Sequence, residues 1–215
     1  MQTKLFRATK RVLPSIVLLF ISFNIKAFPT NIFTQVNEYF NSINSDFSFS
    51  RSDIQKLQEK QSNEVKGFSD LKNIPIPYYY FKSTENSNDT VLWVGGIHAD
   101  EYAALYSSLK IILDLINDQS QKIEKNILFI PLLNIDGLLE GFNKRGYAYR
   151  ENGKLVDLNR AFYAFNELPN YKSTSEIEFV INLIKKYQPT FWVIPHASLH
   201  ILDFDGLYDI VAKNW

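Results

Sequence analysis

Val91-Leu92-Trp93-Val94-Gly95-Gly96-Ile97-His98-Ala99-Asp100-Glu101 is the stretch on which the fold of this chain turns. Four consecutive apolar residues, closed by glycine, read as a buried strand, because a strand with one wet face alternates instead. Two adjacent glycines let the backbone bend sharply with no Cβ in the way. From Glu101 to Ile116, apolar side chains recur at Ala104, Leu105, Leu109, Ile112 and Ile116, the spacing of one helix face. Strand, bend and helix follow in that order, and His98 and Glu101 sit three residues apart at the bend.

The alternation extends in both directions. Tyr78 to Lys82 is β-prone and Glu85 to Asp89 is a turn cluster, so the two predict a hairpin leading into the 91–94 strand. Ile127 to Leu133 predicts a second buried strand and Phe191 to Ile194 a third. Between them, Ser175 and Glu178 have the spacing of a capping box. Ile177, Val180, Ile181 and Ile184 continue that helix, Lys185 and Lys186 suit its C-terminal dipole, and Pro189 follows. Upstream, Ile32, Phe33, Val36, Phe40 and Ile43 predict an amphipathic helix over 31–44, and Ile54 and Leu57 a weaker one over 52–64. Buried strands alternating with helices predict an α/β fold, one sheet covered on both faces.

Composition narrows the function. With 215 residues and 46% hydrophobic side chains, the chain has material for one domain with a substantial core. Lys plus Arg and Asp plus Glu both number 23, which argues against a partner held through nucleic-acid phosphates. The absence of cysteine excludes disulfides, thiolate zinc sites and cysteine nucleophiles. Any metal site or histidine chemistry draws on His98, His196 and His200.

Lys4, Arg7, Lys10 and Arg11 precede the apolar run Val12 to Phe23, and the small residue Ala27 follows. That order predicts a secretory signal peptide over residues 1–27, with export to a bacterial periplasm or beyond and no stable membrane span after cleavage. Those residues carry five basic and no acidic side chains, so removing them leaves 18 basic against 23 acidic groups, a net charge of −5. Residues 28–74 then read as an N-terminal helical segment and 75–215 as the α/β domain.

Sites in open α/β sheets collect beyond the carboxyl ends of the strands. Here those ends carry His98 and Glu101, the segment Asn134-Ile135-Asp136-Gly137, and His196. Two histidines and a glutamate form a known hydrolytic zinc set, which leaves a coordination position for water. His200 competes with His196, but His196 stands directly at its strand's end. A second group, Val156-Asp157-Leu158-Asn159-Arg160, offers a planar guanidinium and a neutral amide suited to a carboxylate, with Arg145 and Arg150 upstream.

Gly-Gly-Ile-His-Ala-Asp-Glu, Asn-Ile-Asp-Gly, Val-Asp-Leu-Asn-Arg-Ala-Phe and a histidine at a strand end, in that order, resemble the zinc carboxypeptidases of the carboxypeptidase A superfamily. The resemblance runs from about Tyr78 to Gly206. It implies a mixed, largely parallel central sheet flanked by helices, with a Zn²⁺ ion held by His98, Glu101 and His196. It further implies that Asn159 and Arg160 bind the carboxylate of a peptide substrate, and that Arg150 polarises the scissile carbonyl, with Arg145 as the alternative. The stretch from His196 to Gly206 looks most like bacterial members that trim murein peptides.

The chain departs from that pattern in one respect. Family members carry a general-base glutamate well downstream of the third ligand, whereas the last glutamate here is Glu178. Asp203, Asp205 and Asp209 follow His196 too closely to match it. The expectation is a C-terminally truncated catalytic domain that holds zinc but turns over slowly or not at all. Two other readings stand beside it. One is a zinc-dependent N-acyl amino acid deacylase of the succinylglutamate desuccinylase and aspartoacylase type. The other is a non-catalytic peptide-binding module.

Overall fold

β2 (Thr90–Val94) and β3 (Asn126–Ile130) lie side by side and parallel at the middle of a four-stranded sheet, with β1 (Tyr79–Phe81) outside β3 and β6 (Phe191–Val193) outside β2. β1 runs antiparallel to β3, and β6 runs parallel to β2, so the sheet is mixed and largely parallel. This computed structural model describes residues 31–70, 72–139, 147–149, 155–161 and 173–196, all within one compact unit, Asn31–Trp215. The proposed signal peptide, Arg145, Arg150, His200 and the acids beyond it lie outside the described residues.

The helices form where periodicity places them. α1 (Ile32–Ile43) buries Phe33, Val36 and Phe40, and its N-terminus is closed by Asn31, whose side chain accepts the Phe33 amide. α2 (Arg51–Glu59) stops well short of residue 64 and buries only Leu57. α3 (Tyr102–Asn117) buries Ala104, Leu105, Leu109, Ile112 and Leu113. A short α4 (Ile135–Leu139), a two-stranded ladder of β4 (Tyr147–Tyr149) with β5 (Leu155–Asp157), and α5 (Ser175–Tyr187) follow. Apolar side chains of α1, α2, α3, α5 and the inner strands join in one buried cluster. Aromatic contacts tie the N-terminal segment to α3: Tyr106 lies 5.5 Å from Phe40, 5.0 Å from Phe47 and 5.1 Å from Phe49, centroid to centroid.

Four expectations are corrected. Tyr79–Phe81 and Thr90–Val94 do not form a hairpin; they flank β3, so that Ile127 is opposite both Phe81 and Val91. The connection is held open by Asn126, whose Oδ1 accepts the Ser83 amide and whose Nδ2 donates to the Ser87 carbonyl. β3 ends at Ile130 rather than Leu133, since Pro131 has no amide to continue a ladder. The capping oxygen of α5 belongs to Thr174, which accepts the Ile177 amide, because Ser175 directs both its amide and its hydroxyl to Asp70 Oδ1. Finally, β6 is not buried: it has one partner among the described strands, and Phe191 is 52% exposed.

Candidate metal centre

The parallel pairing of β2 with β6 brings the carboxyl ends of both strands to one rim, with Trp93 opposite Val193. Beyond β2 the chain continues through Gly95 and Gly96. A Cβ on Gly95 would stand 2.5 Å from Ser108 Oγ and 2.7 Å from the Pro131 carbonyl oxygen, and Gly96 adopts a φ of +59°, where an L side chain is strained. The close approach lets backbone bonds run from Leu133 to Gly95 and from Asn134 to Gly96, at 3.0 and 2.9 Å. Asn134 then secures the loop. Its Nδ2 donates to the Ile97 carbonyl at 3.1 Å, and its Oδ1 accepts the Gly137 amide at 2.8 Å.

This loop delivers His98, while Glu101 occupies the N-cap position of α3 and His196 follows β6 after Ile194 and Pro195. His98 Nδ1 lies 3.0 Å from Glu101 Oε1, and His196 Nδ1 lies 3.0 Å from Glu101 Oε2. The two imidazole rings are 5.0 Å apart, centroid to centroid. One donor atom from each of His98, Glu101 and His196 lies within 4.8 Å of the others. Ligands at zinc bond lengths in a tetrahedron stand about 3.4 Å apart, so the three side chains fit a Zn²⁺ ion in both chemistry and spacing.

The electrostatics agree with that fit. Burial is the largest influence on Glu101 and favours its neutral form. His196 and His98 outweigh it through hydrogen bonds and charge, and hold the carboxyl at about 2. Burial is also the largest influence on His98 and disfavours its charged ring, yet Glu101 and Asp157 together raise its pKa above the ordinary imidazole value. A carboxylate kept ionised between two imidazoles is a ready set of donors for a divalent cation.

Asp157 is the site residue that sequence reasoning passed over. At the end of β5, its Oδ1 meets His98 Nε2 at 3.1 Å and also accepts the Asn159 amide at 2.9 Å. A ligating histidine characteristically gives its second nitrogen to such a carboxylate, which fixes the ring's orientation. The available signal was an acid at a strand end within the quoted 156–160 motif. Asn159 and Arg160 occupy the helical turn that follows; Asn159 is half-buried and Arg160 exposed. Asn134 was likewise quoted without a role, and its pairing with Gly137 is the signal for a loop clamp.

The zinc carboxypeptidase family model matches residues 52–181. The chain belongs to the zinc carboxypeptidase family. Zn²⁺ is that family's metal, and the His98, Glu101 and His196 group could bind it. Bovine thrombin-activatable fibrinolysis inhibitor, solved in complex with a tick carboxypeptidase inhibitor, superposes with a TM-score of 0.54 at 15% identity, over 73% of this chain and 59% of that one. A metallo-carboxypeptidase from Pseudomonas aeruginosa gives 0.51 at 19%, over 69% and 40%. The carboxypeptidase A of Helicoverpa armigera gives 0.51 at 16%, over 75% and 44%. At these identities the likeness is one of fold, and the chain spans about half the length of these structures. No curated protein matches it.

Proposed function

We propose that this protein is a zinc-dependent metallocarboxypeptidase-type hydrolase that cleaves a peptide amide bond next to a free carboxylate. The convergence of His98, Glu101 and His196, with donor atoms within 4.8 Å, carries the reading. When bound there, zinc supplies a Lewis acid and lowers the pKa of water toward neutrality. The chain's own residues do the rest. Asp157 holds the His98 ring through Nε2, so that Nδ1 turns to the cluster. Arg160 and Asn159 grip the substrate carboxylate, which selects for a chain end. Arg150 donates to the carbonyl oxygen as negative charge develops on it.

The proposed substrates are murein peptides met after export, with residues 1–27 as the signal peptide. Within these 215 residues no glutamate follows Glu178. A polypeptide lacking a general-base glutamate would turn over about 10²–10⁴-fold more slowly, and binding without turnover is the second reading, a peptide-binding module.

The test uses the full chain loaded with zinc. One zinc per chain by elemental analysis, lost in Glu101→Gln, is the expected result. Hydrolysis of murein tri- and tetrapeptides is then compared with that of N-acyl amino acids and of C-terminally amidated peptides. Release of a C-terminal residue from the acids alone supports the carboxypeptidase reading, and cleavage of N-acyl amino acids alone supports the deacylase. Binding of the acids without turnover supports the module. A chain that takes up no zinc refutes the hydrolase reading.

A further inference from the structure

The ladder between β2 and β3 resumes beyond the strands themselves. Pro131, which has no amide to donate, interrupts it. Past that break, three successive carbonyls are received in register. Those of Gly95, Gly96 and Ile97 accept from the Leu133 amide, the Asn134 amide and Asn134 Nδ2, at 3.0, 2.9 and 3.1 Å. The third rung is a side chain, and it grips the residue directly before His98. Ile97 and Asn134 are both fully buried. A carbonyl so enclosed has no water to turn to when its donor is removed.

The carboxamide is itself fixed from α4. Its Oδ1 accepts the Gly137 amide at 2.8 Å. An N–H on one side and a carbonyl on the other admit a single orientation of the amide group. Gly137 also leaves it room, because a Cβ there would stand 2.6 Å from Asn134 Oδ1 and 2.8 Å from both Cγ and Nδ2. Between the two, Asp136 Oδ1 accepts the Lys72 amide at 3.2 Å, which ties the same turn to the N-terminal segment. His98 is thus constrained at two ends: Asp157 meets its ring at Nε2, and Asn134 holds the backbone that carries it. Metal affinity depends on donors held in place before the ion arrives. We propose that Asn134 is a positioning residue of the metal centre, acting on His98 through the Ile97 carbonyl, and that Gly137 provides the space its carboxamide requires. The proposal rests on the zinc reading of His98, Glu101 and His196, whichever substrate the site accepts.

The test measures zinc affinity by chelator competition, beside urea unfolding of the zinc-free full chain, in wild type and three variants. Asn134→Leu has a similar shape but neither donates to Ile97 nor accepts from Gly137. Gly137→Ala retains Asn134 and displaces its carboxamide by a single methyl. Phe40→Ala weakens the core away from the loop and serves as the reference for lost stability alone. In conditions where unfolding curves show each zinc-free chain folded, Asn134→Leu and Gly137→Ala are each expected to bind zinc at least about tenfold more weakly than wild type. Phe40→Ala is expected to stay within about twofold. Folded Asn134→Leu and Gly137→Ala chains that bind zinc within about twofold of wild type overturn the proposal. So does an equal loss of affinity in Phe40→Ala, since affinity would then follow stability alone. If Asn134→Leu does not fold, Gly137→Ala decides by the same criteria. A wild type that takes up no zinc removes the metal reading and the proposal with it, whereas equal zinc affinity in wild type and variants removes the proposal alone.

Discussion

Glu176 sits in the first turn of α5 with no exposed surface, and its Oε2 has no hydrogen-bond partner. Its Oε1 accepts the Asp70 amide at 2.9 Å. Burial pushes its carboxyl from an ordinary 4.5 up to about 7, and the charges of Asp70 and Asp136 add to that rise against the two backbone amides that lower it. The folded state therefore holds this proton more tightly than the unfolded chain. The sign follows from linkage: the contribution is complete below pH 4.5, declines as pH rises, and is gone above about 7. At about 1.4 kcal/mol per pH unit, the interval corresponds to about 3 kcal/mol of folding stability. Glu176→Gln keeps an acceptor for the Asp70 amide and never ionises. Urea unfolding of wild type and variant, from pH 4 to pH 8 at fixed zinc concentration, isolates the term as the difference between the two curves. Wild type loses about 3 kcal/mol relative to Glu176→Gln across that range, and the variant is the more stable of the two at pH 8. Parallel curves would refute the reasoning, because they would mean that the buried carboxyl finds a partner that the geometry does not provide.

Three more outcomes follow from the site and the core. Asp157→Asn leaves all three candidate zinc ligands in place but weakens the acceptor facing His98 Nε2, so zinc affinity measured by chelator competition should fall about 10–100-fold. Gly95→Ala drives a methyl to 2.5 Å from Ser108 Oγ and 2.7 Å from the Pro131 carbonyl oxygen. Urea unfolding should show a loss of about 1–3 kcal/mol, typical of overpacking. Phe40→Ala removes a fully buried ring that meets Phe49 and Tyr106. A loss of about 3–5 kcal/mol is expected, and a loss under 1 kcal/mol would show that α1 contributes little to the core.

Much of the fold was legible because burial imposes period on the sequence. α1 and α3 follow their apolar spacing to within a residue or two, and the α/β architecture follows from the order of strands and helices. Strand pairing was not legible. Tyr79–Phe81 reads as the first arm of a hairpin because nothing local reveals that Asn126, 43 residues from Ser83, will bond the intervening turn and let β3 enter between the arms. The α5 cap shifted for a similar reason. Asp70 lies 105 residues from Ser175, and a local capping motif carries no trace of it. In the candidate site, residue types and their places at strand ends pointed to His98, Glu101 and His196 as candidate ligands, and the three lie together. Asp157 was not singled out, because an acid beside Leu158 and Asn159 has no distinguishing mark until His98 is seen against it.

By itself the sequence carried the motifs through which the chain resembles its family, and it determined the donor types and the βα unit that holds two of the candidate ligands, since those are written in short-range spacing. The tertiary structure decided that β6 lies parallel beside β2. That pairing alone brings His196 to Glu101 across 95 residues, because convergence of distant side chains depends on which strands share hydrogen bonds, and no local pattern encodes that choice.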